Sequence, residues 1–129
     1  MTEDVPVLKD EENQQLVPAA WRGPLSAIVE AFTRGDFEIK QGVVGMLPIP
    51  RDLAIRMSQN VEAYGASTRL SSLPAEAWET SVCQWTQGHW DVLVDLFDEI
   101  VGAIDLVLHV RVSEDEDGYT YQVRSLHVP

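Results

Sequence analysis

The chain has 129 residues, 45% of them hydrophobic, with 21 acids against 9 bases and a formal net charge of −12 at pH 7. That length fits one domain with one sizeable core, and the charge repels phosphate backbones, which argues against direct nucleic-acid binding. No apolar run reaches the ~20 residues of a membrane-spanning helix, and the lone Cys83 excludes an internal disulfide or a cysteine-rich zinc site.

The charge is unevenly placed. Residues 1–12 carry a net −4, residues 13–90 a net −1, residues 91–117 a net −8 and the last twelve +1. Such a field attracts a basic partner and speeds its encounter.

Residues 1–20 open with MTEDVPVLKDEENQQ, which lacks the basic and apolar regions of a secretory signal. The expectation is a soluble, cytoplasmic chain. Val5, Val7, Leu8, Leu16 and Val17 follow no sustained period, which predicts a flexible acidic tail over 1–20 ahead of one domain over 21–129.

A first helix is predicted from Gly23-Pro24, where proline suits the first helical position. Leu25, Ile28, Val29 and Phe32 form one apolar stripe, and Gly35 is placed to end it in a left-handed cap. Asp36–Ile39 reads as a short strand or extended link. The glycines and prolines of residues 42–50 predict an ordered apolar loop. A second helix is predicted from Pro50 or Arg51 to Gly65, with Leu53, Met57, Val61 and Tyr64 on one side. Residues 66–77 are a connector in which SSLPAEAW is expected to hold one helical turn, and a first strand is expected over Trp78–Trp85.

Two further strands alternate at a period of two. Trp90, Val92, Val94 and Leu96 share one face, as do Leu106, Leu108, Val110 and Val112. Gln87-Gly88 is the turn into the first of them, and DEIVGAI between the two looks too long for a tight hairpin. SEDEDG over Ser113–Gly118 is a turn, followed by a fourth strand, YTYQVRSLHV. Helices followed by strands imply α+β: two N-terminal helices packed on one face of a four-stranded antiparallel meander sheet.

The other sheet face carries the polar positions. His109, Arg111 and Asp91 form an alternative site there, an acid/base group or an ordinary cross-strand charge set. The loops carry Asp98, Glu99, Glu114, Asp115, Glu116 and Asp117, which with Asp91, Asp95 and Trp85 are the candidate partner-binding residues. The acidic turn lacks the spacing of a calcium loop. No phosphate loop, nucleophile elbow or H-E-x-x-H occurs, so no catalytic residue, metal or cofactor is assigned.

LSAIVEAFTRGDFEI (Leu25–Ile39) resembles the opening helix of NTF2-like and cystatin-like domains, which pack helices against a curved antiparallel sheet. GHWDVLVDLF, DLVLHVRV and SLHVP are similar to stretches of small uncharacterised bacterial domains, some of them near polymorphic-toxin loci. The two resemblances differ in what they imply. The second identifies no activity; small size, a single domain, the localised charge and the absence of a catalytic motif point first to an acidic, non-enzymatic protein-binding domain for a basic partner, such as a toxin-neutralising immunity protein. The first implies a pocket protein that binds or transforms a small molecule, with His109, Asp91 or Asp95 at the mouth.

Overall fold

The computed structural model describes residues 5–40, 42–65 and 69–129. Residues 1–4 of the expected tail and 66–68 of the expected connector lie outside them. The elements run β1 (Gln15–Leu16), α1 (Ala19–Thr33), α2 (Arg51–Tyr64), α3 (Ala77–Thr80), β2 (Val82–Thr86), β3 (His89–Asp98), β4 (Gly102–Asp115) and β5 (Gly118–His127). This is an α+β fold on one antiparallel sheet, with strand order β1-β2-β3-β4-β5.

β3 and β4 are the middle of that sheet. Their alternation places Trp90, Val92, Val94, Leu96, Leu106, Leu108, Val110 and Val112 on the inner face, where none exposes any surface. The α1 residues Trp21, Leu25, Ile28, Val29 and Phe32 and Met57 of α2 join them in one core. Leu53 and Val61 pack at its margin, half-buried. The amide of Asn60 in α2 donates to the Leu126 carbonyl of β5 at 2.9 Å.

The sheet has five strands rather than four, because part of the expected tail is built into it. Gln15 and Leu16 pair with Cys83 and Val82, and Val17 is fully buried. The segment from Val5 is docked too: the Trp90 indole N–H donates to the Leu8 carbonyl at 2.9 Å, and the Gln84 amide to the Asp10 carbonyl at 3.0 Å. These bonds use main-chain carbonyls, so no side-chain pattern announces them.

Helix boundaries also move. α1 begins five residues before Pro24, which therefore sits inside the helix, and the added turn carries Trp21 into the core. Its end is as expected. Gly35 has φ +78°, its N–H reaches Phe32 O and that of Asp36 reaches Ala31 O, both at 3.0 Å, the two bonds of a Schellman cap. Gly65 after α2 is extended instead, with φ 176°. Asp36–Ile39 is a turn, in which buried Ile39 has φ +54°, a strained value for a β-branched residue. Trp78 belongs to α3, so β2 starts only at Val82.

The turns explain the register. Gln87 and Gly88 both have positive φ, the two-residue hairpin geometry that matches strand twist. Only Glu99, Ile100 and Val101 separate β3 from β4, so DEIVGAI is a tight hairpin after all; Gly102 closes it at φ +84°. The loop through Gly45 and Met46 covers the outer edge of β5: Tyr121 N–H donates to Gly45 O and Leu47 N–H to Tyr121 O. A side chain at Gly45 would meet the Tyr119 carbonyl at 2.7 Å.

Candidate functional site

Two groups of polar side chains stand out, one on the outer sheet face and one at an end of the sheet. Trp90 faces the core, so His89 and Asp91 on either side of it face outward. Arg111 pairs with Asp91 across β3 and β4, and His109 pairs with the neighbouring Leu93. His109 Nε2 donates to Asp91 Oδ1 at 3.0 Å. His89 Nε2 lies 3.5 Å from Oδ2, and Arg111 Nε lies 3.7 Å from Oδ1. One carboxylate thus sits among two imidazoles and a guanidinium, all partly buried, and Leu93 is exposed beside them.

Burial pushes the Asp91 pKa up. The His109 hydrogen bond and the positive field of His109, His89 and Arg111 outweigh it, and the carboxyl is held below its usual range. Two buried nitrogens in the group, His89 Nε2 and Arg111 Nε, lack hydrogen-bond partners. Among the described residues no three His, Cys, Asp or Glu side chains come together to hold a metal ion. His89 extends the sequence-read set of His109, Arg111 and Asp91. The strand's own parity signals it, since positions 89, 91, 93 and 95 share a face.

Further along the same face, Ser125 Oγ and His127 Nδ1 are 2.9 Å apart. Asp95 is half-buried there, and its main-chain N–H donates to Ser81 Oγ at 2.9 Å. It borders an open groove of about 340 Å³ with Ile104, Asp105 and Val107.

The acidic segment 91–117 is continuous in sequence but divided in space. Glu99 lies at one end of β4 and Glu114–Asp117 at the other, roughly 40 Å apart at about 3.3 Å per residue. Asp98 is not in an exposed loop. It ends β3 and is 5% exposed. Its Oδ2 accepts the Arg69 N–H at 2.7 Å, and Oδ1 accepts those of Ile100 and Val101 at 2.7 and 3.1 Å. Those three bonds hold its carboxyl below the usual range. Its role is to fix the hairpin, and the carboxylate is not offered to a partner.

At the opposite end the turn is shorter than Ser113–Gly118: Glu114 and Asp115 end β4, paired with Tyr119 and Gly118, and only Glu116 and Asp117 form the turn to β5, all four being exposed. Asp115 Oδ1 accepts the Asp117 N–H at 2.8 Å and stiffens the tip. Lys9 reaches this end from the N-terminal segment: its Nζ is 3.0 Å from Glu114 Oε1 and 5.4 Å from the centre of the Trp85 ring. Trp85 is half-buried, tilted against Trp90 at 4.4 Å, and is therefore covered on one side by the core and on the other by Lys9. Sequence reasoning missed Lys9, because nothing in residues 5–14 shows that they dock.

Side chains of α1 pack between the helices and the inner sheet face, whereas His109, Asp91 and Asp95 lie on the outer face, where Asp95 borders the open groove. A groove of about 460 Å³ does run between the end of α1 and α2, bordered by Arg34, Phe37, Lys40 and Ile55, but no sheet residue lines it. Burial pushes the Cys83 thiol up to about 11, as suits a small core residue. No helix among the described residues is long and apolar enough to cross a membrane.

These features define a small α+β domain with a packed interior, a charged outer sheet face and an acidic hairpin tip. Residues 29–129 match the family described as Domain of unknown function (DUF7668), and the chain belongs to it. The matched span opens within α1, so β1 and Trp21 precede it. No curated protein and no solved structure matches the chain.

Proposed function

We propose that the chain is a protein-binding domain for a basic partner, which docks at the end of the sheet carrying the β4–β5 turn. The observation that carries this reading is the placement of Glu114, Asp115, Glu116 and Asp117. All four are exposed, two at the end of β4 and two on the turn that follows, at a tip stiffened by its own hydrogen bond in a chain of net charge −12. Charge of one sign on a rigid projection steers association of a partner of the other sign. The filled interior supports a surface function over a pocket function. Neutralisation of a basic toxin is the finer form of the reading and rests on the chain's small size and localised negative charge.

The test starts from a basic protein retained by the immobilised chain. Its association rate is then measured by surface plasmon resonance against wild type and the variant E114Q/D115N/E116Q/D117N, at several salt concentrations. The expected result is slower association for the variant and a flatter salt dependence, since exposed charges are screened within about 8 Å at physiological ionic strength. A partner indifferent both to salt and to these four substitutions would end this reading.

A further inference from the structure

The N-terminal segment crosses the candidate end of the sheet, bends at residues 11–13 and then enters β1, and its contacts there are those a bound basic peptide would make. Lys9 places its ammonium 3.0 Å from Glu114 and 5.4 Å from the Trp85 ring centre. The Leu8 carbonyl takes the Trp90 indole N–H, and the Asp10 carbonyl takes the Gln84 amide. β1 pairs with β2 only at Cys83 and Val82, so Gln84, Trp85 and Thr86 have no strand partner on their outer edge among the described residues. An edge strand with free main-chain groups is a template for another extended chain.

Two further observations suit an occupant that can leave. Lys9 and Glu114 are each about half exposed, at 53% and 47%, so water can replace their ion pair at little cost. The segment also carries Asp10, Glu11 and Glu12 in a chain of net charge −12, and like charge opposes its own docking.

We infer that residues 5–16 form an intramolecular stand-in for the partner, with Lys9 in the place of a partner Lys or Arg. The partner segment is extended and basic. It displaces residues 5–16, the chain's own strap, adds to the β2 edge along Gln84–Thr86 and sets a cation between Trp85 and Glu114. The acidic strap residues make way for basic ones, which the turn acids favour. This rests on the basic-partner reading and names the surface and the form of the ligand.

The test uses a fluorescently labelled peptide of residues 5–16, VPVLKDEENQQL, titrated by anisotropy into the full chain. In wild type the chain's own strap competes with it. In the Lys9→Glu chain a carboxylate faces Glu114, the strap is released, and the peptide is expected to bind at least about tenfold tighter than to wild type. The same peptide carrying K9E should bind about tenfold more weakly to that chain. In the K9E/E114K chain the swapped pair restores the strap, and peptide binding should fall back to the wild-type level. Hydrogen exchange at Val82 and Cys83, the β2 residues that pair with β1, reports release of the segment and should rise in K9E alone.

Release without peptide binding would overturn the inference, as would equal binding of the two peptides. Absence of release in K9E would do the same, since the Lys9 contact would then not be what holds the strap. The partner takes no part in this experiment. Its failure leaves the basic-partner reading standing, whereas a salt-indifferent partner would end that reading with the strap result intact.

Discussion

The indole rings of Trp21 and Trp90 meet edge to face, with centroids 5.0 Å apart, and neither exposes any surface. One comes from the first turn of α1 and the other from the start of β3. Tyr119 completes the group at 5.4 Å from Trp21, in the geometry that aromatic quadrupoles favour. Trp21 Nε1 is buried without a hydrogen-bond partner. The ring is therefore held by packing and not by its polar edge. Trp21→Ala should cost about 3–5 kcal/mol in urea unfolding, as large-to-small core changes do. Trp21→Phe should cost much less, because it also removes an unpaired donor worth about 1–3 kcal/mol. Equal losses for the two variants would show that the contact is not what the site contributes.

The alternation of β3 and β4 is plain in the sequence because one face of each strand is fully buried and period two then has a strong contrast. The stripe Leu25, Ile28, Val29 and Phe32 is equally plain, and Gly35 marks its end. What was not legible depends on main-chain bonding or on closure in space. The strap docks through the Leu8 and Asp10 carbonyls, which every sequence possesses. The hairpin at Glu99–Val101 is short because Asp98 bonds its amides and Gly102 takes a positive φ, neither of which periodicity reveals. Asp91, His109 and Arg111 were readable as neighbours, since parity and strand order place them together. The acids of 91–117 were not readable as two separate groups, because a hairpin carries the two ends of one strand apart.

Asp98 makes a prediction about the hairpin that it anchors. Its carboxylate accepts three main-chain N–H groups, and those bonds favour the charged form. With the folded pKa depressed, the stabilisation is fully present above the ordinary carboxylate value of about 3.9. It is lost as pH falls through the folded value. Asp98→Asn should lower the melting temperature at pH 7 and quicken amide exchange at Ile100 and Val101. Glu99→Gln, next to it and exposed, should do neither. A D98N chain with wild-type exchange at both amides would show that the turn holds without the carboxylate.

Asp91 gives a different pH signature, because its partners are side chains and not amides. Its carboxylate accepts from His109 and lies within 4 Å of His89 and Arg111. Asp91→Asn keeps the shape and removes the charge, leaving Arg111 Nε, already buried without a hydrogen bond, with no counter-charge. At pH 7 the loss should be about 1–2 kcal/mol, the scale of a charge-assisted bond discounted for a side chain that water still reaches. The folded pKa is lowered, so this contribution stands above pH ~3.9 and disappears as pH falls through the folded value. Wild type and D91N should therefore differ in urea midpoint at pH 7 and converge as pH falls through that folded value. The difference should also shrink in ~1 M salt, where the screening length is about 3 Å. Asp95→Asn is the control. It removes a carboxylate from the same face, and no ion pair or side-chain hydrogen bond involves that carboxylate among the described residues. It should leave the midpoint almost unchanged over the same pH range. If D91N and D95N lose the same amount at pH 7, the cations around Asp91 are not stabilising it, and the group is a solvated charge set with no special standing on the face.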